Sequence, residues 1–178
     1  ANNQQEALRT IEQRIRGQPL EYAFSVAEDG TVMFAQAGDV GRVRFSERVA
    51  ARFVGTTLTH NHPQNSMLSG QDVRTLIRAG LRSVRAVTER EVFEIRQTAT
   101  RRTLKPNREL ADKVSNDYEG TFRTLVRPYT VQYGERRMAG EPRDSLNRWW
   151  QHVRQQVRIE AIEDIASRYN LIFRRETL

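Results

Sequence analysis

The feature that most constrains the fold is a change in hydrophobic periodicity near residue 100. Before it, apolar and β-branched residues come in short runs typical of strands, separated by turn sequences such as EDG at 28–30. After Pro106, apolar residues recur every third or fourth position, as on the buried side of amphipathic helices. This order predicts an α/β (α+β) fold, in which a mixed sheet is flanked by helices and carries a C-terminal helical extension.

The first hundred residues are predicted to alternate between helices and strands. Each predicted helix has an apolar side and a Ser or Gly at one end, and each hairpin has two apolar runs around a turn. The predicted elements are a helix over 4–16, a hairpin over 21–38, a short helix over 45–55 that begins at Ser46, a strand over 56–60, a helix over 69–79 and a hairpin over 83–98.

The rest of the chain is predicted to form two long helices and a final strand. The first helix has apolar residues from Leu110 to Leu125, and the second has them from Leu146 to Ile165. Glycines and prolines in the segment 127–142 predict a break between the two helices, and LIFRR predicts a last strand. We divide the predicted fold into a core over 1–100 and an extension over 101–178 that packs on the core.

Composition limits the chemistry that is open to this chain. It has no cysteine, which excludes disulfides, thiolate metal sites and a cysteine nucleophile, so a metal ion would need histidine, carboxylate and water. The net charge is +7 and comes mostly from arginine, which favours an acidic partner or nucleic acid, with a solvated surface as the alternative. No apolar run is long enough for a membrane span, and we expect no membrane partner.

The sequence LTHNHPQNSMLSGQD contains the strongest candidate site. His60 and His62 are two residues apart at the end of a predicted strand, so their side chains point to the same side. Asp72, in the first turn of the next helix, is a candidate third ligand. Three protein ligands with an open fourth position are typical of catalytic Zn²⁺. The alternatives are that Ser69 and Asp72 only cap the helix and that the histidines belong to packing or to the surface.

These residues also carry a family resemblance. THNHP followed by SGQD resembles the signature of the JAMM (JAB/MPN-type) metallopeptidases, which include RadC-like proteins. The resemblance implies that His60, His62 and Asp72 bind zinc, that Ser69 stabilises the oxyanion and that Glu21 is the general base. It runs from about Glu21 to Arg96 and is nearest to a branch in phage head-morphogenesis proteins and bacterial polymorphic toxins. Six residues separate His62 from Ser69, where the commonest form of the motif has seven.

The resemblance implies that residues 1–100 form a JAMM-like catalytic core. It also implies that this core is a zinc-dependent hydrolase of peptide or isopeptide bonds. Its partners would be a protein or peptide substrate and, for a toxin, an immunity or carrier protein. The alternatives are a basic nucleic-acid-binding domain or nuclease, suggested by arginine pairs such as Arg101 and Arg102, and an inactive scaffold. We predict that Asn61 points away from the histidines and secures a loop. We expect His152 to be a packed or half-exposed residue rather than a ligand.

Overall fold

A computed structural model describes residues 3–38, 51–98 and 104–178 of the chain. The predicted helix over 45–55 lies mostly outside the described residues, and only a 3-10 turn at Ala51–Phe53 is seen there. The described helices are α1 (Asn3–Ile15), α2 (Gly70–Arg78), α3 (Arg108–Met138) and α4 (Arg143–Arg168). The described strands are β1 (Tyr22–Val26), β2 (Val32–Ala37), β3 (Thr57–Asn61), β4 (Ser83–Val87), β5 (Glu91–Gln97) and β6 (Leu171–Thr177).

The six strands form one mixed sheet in the order β2-β1-β3-β4-β5-β6. Both predicted hairpins are present, as the antiparallel pairs β1–β2 and β4–β5. The pair β3–β4 is parallel, because helix α2 carries the chain back to the end of the sheet where β3 began, and β4 starts there. The predicted mixed α+β fold with helices on the sheet is confirmed.

The two faces of the sheet are covered by different helices. On the front face, residues of α2, α3 and α4 share one apolar cluster with Leu58, Val84 and Phe93. On the back face, α1 packs through Ile15 on Val87. Because side chains alternate along a strand, each residue of β3 faces one of these two layers, and its neighbours face the other. The division of the chain at residue 100 stays a prediction.

The predicted break over 127–142 is wrong in its extent. Helix α3 continues through Pro128 to Met138, and the turn between α3 and α4 is only four residues long. Pro128 is exposed, so water can hydrate the carbonyl of Thr124 that loses its helical hydrogen bond. Gly140 follows the C-cap residue of α3; its φ of 82° turns the chain, and its N–H donates to the carbonyl of Arg137.

Helices α3 and α4 pair along their length. Near the turn, the ring of Tyr133 lies 5.3 Å from that of Trp150, and the Arg136 guanidinium stacks 4.3 Å from the ring of Trp149. Both tryptophans are half-buried in this pairing. His152 is exposed on α4, so the prediction of a packed or half-exposed side chain is wrong, although the residue does lie apart from the candidate metal ligands.

Candidate metal centre

The candidate site lies where β3 ends. Strand β3 is central in the sheet, with β1 on one side and β4 on the other. The N–H of His62 donates to the carbonyl of Val87 at 2.8 Å, so the chain stays extended one residue past the end of β3. This extension keeps His60 and His62 on the same side of the strand, as predicted from their spacing.

The nitrogen and oxygen atoms of three side chains converge at this point. The Nε2 atoms of His60 and His62 are 2.8 Å apart, and His60 Nε2 is 3.0 Å from Asp72 Oδ1. His62 Nε2 is 3.9 Å from the other carboxylate oxygen, Asp72 Oδ2. One ligand atom from each of the three side chains lies within 4.8 Å of the other two. In a tetrahedral zinc site with bonds near 2.0 Å, ligand atoms are separated by roughly 3.3 Å, so the donor set is of the kind and spacing that could hold a zinc ion.

A turn after β3 orients the imidazole of His62. His62 Nδ1 lies 2.6 Å from the carbonyl oxygen of Ser66, to which it can donate its proton. That assignment leaves an electron pair on Nε2, the atom that faces the cluster. The turn is closed by Asn65, whose φ is 54° and whose N–H donates to the His62 carbonyl at 2.9 Å. By contrast, His60 Nδ1 is buried and makes no hydrogen bond within the described residues.

Asp72 belongs both to a helix cap and to the cluster. The backbone N–H and the hydroxyl of Ser69 each donate to Asp72 Oδ2 at 2.7 Å, while Oδ1 faces His60. The Asp72 N–H donates in turn to Ser69 Oγ at 3.3 Å, which completes a capping box at the start of α2. The cap and the ligand arrangement are therefore compatible, because each carboxylate oxygen serves one of them.

Glu21 immediately precedes β1 and is 8 % exposed. In the β1–β3 pairing Ala23 lies opposite His60, so Glu21, two residues earlier, falls on the front face beside the histidines. Burial raises the pKa of the Glu21 carboxyl; His60 opposes this effect, and the charge of Asp72 adds to it. The structure thus places the predicted base on the same side of the sheet as the predicted ligands.

The pKa values of the two imidazoles are shifted in opposite directions. Burial lowers the pKa of His60, but the charge of Asp72 and its hydrogen bond outweigh that effect and raise the pKa overall. Burial lowers the pKa of His62, and the positive charge of His60 lowers it further. Although burial alone would raise the pKa of Asp72, the neighbouring His60 holds it well below its usual range. These opposite shifts favour a proton on His60, beside the Asp72 carboxylate, over one on His62.

Helix α3 supports the segment that leads into α2. The Tyr118 hydroxyl donates to the carbonyl of Leu68 at 3.2 Å, and burial raises the pKa of that hydroxyl. A Cβ at Gly70 would lie only 2.7 Å from Glu119 Oε1 and 3.1 Å from Tyr118 Cδ1, so the two helices approach closely there. Tyr118 was not identified from the sequence as a residue that supports the site. A tyrosine at a position of the apolar face of α3 was the available sign, since a buried O–H needs an acceptor.

Asn61 points to the opposite side from the histidines, as predicted, but it secures the segment before β1 rather than the loop that follows β3. Its side chain points to the back face, where it bonds to the backbone of Gln18, Leu20 and Tyr22. These contacts span about 40 residues of sequence, so no local pattern could identify the partners.

The predicted arginine-rich surface is partly neutralised. Arg136 pairs with Glu141, and Arg175 pairs with Glu91. The pair Arg101 and Arg102 lies outside the described residues. A nucleic-acid partner stays a prediction.

Comparison with protein-family models, curated proteins and solved structures finds no match for this chain. Among the described helices, none combines the length and the apolar character that crossing a membrane requires. In the part of the chain that the structure describes, His60, His62 and Asp72 form the one group of metal-ligating side chains with converging ligand atoms. The chemistry of these residues is therefore the basis for assigning a function.

Proposed function

We propose that this chain is a zinc-dependent hydrolase of peptide or isopeptide bonds, of the JAMM type. The observation that carries the proposal is the convergence of ligand atoms from two imidazoles and one carboxylate, all within 4.8 Å of one another, between the end of β3 and the start of α2. The position of Glu21 on the same face of the sheet supports it, because a hydrolase of this type needs a base next to the metal.

His60, His62 and Asp72 would hold the metal, leaving a coordination position for solvent. Bound zinc polarises the substrate carbonyl and lowers the pKa of a coordinated water towards ~7. The Ser66 carbonyl keeps His62 oriented, and the Ser69 hydrogen bonds keep one oxygen of Asp72 turned towards His60. Hydrogen bonds from neighbouring groups to the metal ligands are typical of zinc sites, and they orient the ligands before the ion arrives.

Glu21 would act as the general base and acid. Its carboxyl has a raised pKa because it is buried, which makes the carboxylate a stronger base than an exposed one. It takes a proton from the attacking water and delivers it to the departing amine. This transfer is required because an amide nitrogen leaves only after protonation.

Ser69 would donate a hydrogen bond to the developing oxyanion. Its hydroxyl donates to Asp72 Oδ2 in the structure, so this role requires the hydroxyl to rotate towards the substrate. The Ser69 backbone N–H also donates to the same oxygen, and Asp72 therefore keeps one of its two cap bonds during the rotation.

The test compares His62→Ala with His152→Ala, a matched histidine substitution on the exposed surface of α4. We expect one zinc per chain in the wild type and in His152→Ala, and none in His62→Ala, by elemental analysis after dialysis against zinc. Peptide and isopeptide substrate libraries should be cleaved only by the two zinc-containing proteins, and a chelator should abolish the cleavage.

Two outcomes would contradict the proposal. A wild-type protein that stays metal-free when offered zinc would favour the inactive scaffold. Cleavage that persists unchanged in His62→Ala would show that the reaction does not use this centre.

A further inference from the structure

We infer that Asn61 is a positioning residue for Glu21, so that the segment carrying the metal ligands also fixes the base. The functional consequence rests on the proposed hydrolase activity, whereas the backbone contacts do not. Asn61 is located between the two histidines, but its side chain points to the opposite face of the sheet. One extended tripeptide thus presents ligands on the front face and an amide group on the back.

The amide of Asn61 binds the backbone on both sides of Glu21. Its Oδ1 accepts a hydrogen bond from the N–H of Tyr22 at 2.7 Å. Its Nδ2 donates to the carbonyl of Leu20 at 2.9 Å and to that of Gln18 at 3.2 Å. Asn61 is 1 % exposed, so its amide group is shielded from water and makes its hydrogen bonds to the backbone instead.

This arrangement is needed because the backbone pairing of β1 with β3 ends before it reaches Glu21. The last paired residues are Ala23 and His60. Beyond that point, the Asn61 side chain takes over from the backbone and connects β3 to the residues next to Glu21. On the other side, the N–H of Gly38 donates to the carbonyl of Glu21 at 2.8 Å. The main chain at Glu21 is consequently held from both neighbouring strands.

The chemistry of the contact requires asparagine. One end of the side chain must accept from an N–H while the other donates to two carbonyl oxygens, and an amide does both. An aspartate would place a carboxylate oxygen against the carbonyls of Leu20 and Gln18 and repel them. An alanine would remove all three hydrogen bonds that tie the backbone around Glu21 to β3.

The experiment uses Asn61→Ala and Asn61→Asp, with Gln97→Ala as the matched control. Gln97 also uses a side-chain amide to donate to two backbone carbonyls, those of Leu76 at 3.3 Å and Leu81 at 2.9 Å. It lies at the end of the sheet away from the histidines, since β5 pairs there with the start of β6. Its loss should affect folding stability without moving Glu21.

We expect all three variants to bind zinc as the wild type does, because His60, His62 and Asp72 are unchanged. In both Asn61 variants kcat should fall by roughly 100-fold with KM nearly constant, as for a catalytic group displaced by about 1 Å. Amide exchange at Tyr22 should accelerate in the Asn61 variants alone, and their crystal structures should show a displaced Glu21 carboxylate. Gln97→Ala should keep the wild-type kcat.

The readouts separate this inference from the proposed function. Absence of zinc or of cleavage in the wild type would refute the hydrolase, while amide exchange and the Glu21 position would still test the role of Asn61. A Glu21 carboxylate in the same place in wild type and Asn61→Ala would overturn the inference. So would a wild-type kcat in zinc-loaded Asn61→Ala.

Discussion

Strand β3 has buried polar clusters on both faces, and they differ in the group that supplies positive charge. On the back face, Arg85 donates to both oxygens of Glu12, at 2.6 and 3.1 Å, and Thr59 donates to the same carboxylate at 3.0 Å. On the front face, His60, His62 and Asp72 bring three electron-pair donors together. The back cluster contains a permanently charged guanidinium, whereas positive charge in the front cluster depends on a histidine proton or, under the proposed function, on a bound metal ion.

The difference separates a structural ion-pair cluster on one side of the strand from the proposed metal centre on the other. The guanidinium of Arg85 is surrounded by carboxylates, and hydrogen bonding to Glu12 raises its pKa although burial opposes this. Glu12 comes from α1, so the ion pair joins that helix to the centre of the sheet, next to the residue before His60. We infer that the back cluster holds β3 in position behind the candidate site.

The largest expected effect comes from removing the Glu12 carboxylate from the back cluster. Glu12→Ala should lower the free energy of unfolding by about 3–5 kcal/mol, because it leaves Arg85 buried without its main counter-charge. Urea denaturation measures this loss. The control is Glu91→Ala, which removes the carboxylate partner of the exposed Arg175 and should cost about 0–1 kcal/mol. Equal losses in the two variants would show that the Glu12 pair is no more important than a surface pair.

The second largest expected effect is the stabilisation that zinc should give when it binds the front cluster. Zinc at 100 times its Kd should stabilise the wild type by about 2.7 kcal/mol, since the ion binds the folded chain. Thermal denaturation with and without zinc measures the gain, and His62→Ala should lose it. Glu12→Ala should still respond to zinc, because its front face is intact. An equal gain in His62→Ala would place zinc elsewhere on the chain.

A smaller effect distinguishes the capping role of Ser69 in α2 from its proposed role in stabilising the oxyanion. Ser69→Ala removes an N-cap side chain and should cost about 1 kcal/mol of stability. Asn107→Ala, which removes the cap of α3, is the matched control and should cost a similar amount. Under the proposed function only Ser69→Ala should also reduce kcat, by roughly 100-fold. If both variants retain the wild-type kcat, Ser69 is a cap alone.

The smallest expected effect is the pH dependence of the metal-free protein. The pKa of His60 is raised above 6.5 in the folded chain, so its pairing with Asp72 stabilises the fold below pH 6.5. That contribution is lost as the pH rises through the folded-state pKa. Zinc affinity should change in the opposite direction and fall in acid, because about one proton must leave when the ion binds. Calorimetry in buffers of different ionisation enthalpy measures the released proton.

Parts of this picture could be predicted because they depend on neighbours in the sequence. The shared side of His60 and His62 follows from strand alternation, and the cap at Ser69 follows from a three-residue spacing. The break at Pro128 was predicted wrongly because the cost of a proline depends on whether water reaches the helix at that point. The ion pair of Glu12 with Arg85 joins residues 73 positions apart and was missed. A charged residue among the apolar positions of α1 was its only sign.

The sequence by itself determined the strands, the helices, the direction of the two imidazoles and the capped start of α2. Each of these depends on backbone geometry over a few residues. Only the tertiary structure decided that Asp72 meets His60, that Asn61 binds the backbone around Glu21 and that an ion pair lies behind β3. Those contacts depend on how distant segments pack, because a side chain can form a hydrogen bond only with groups that the whole fold brings within about 3 Å.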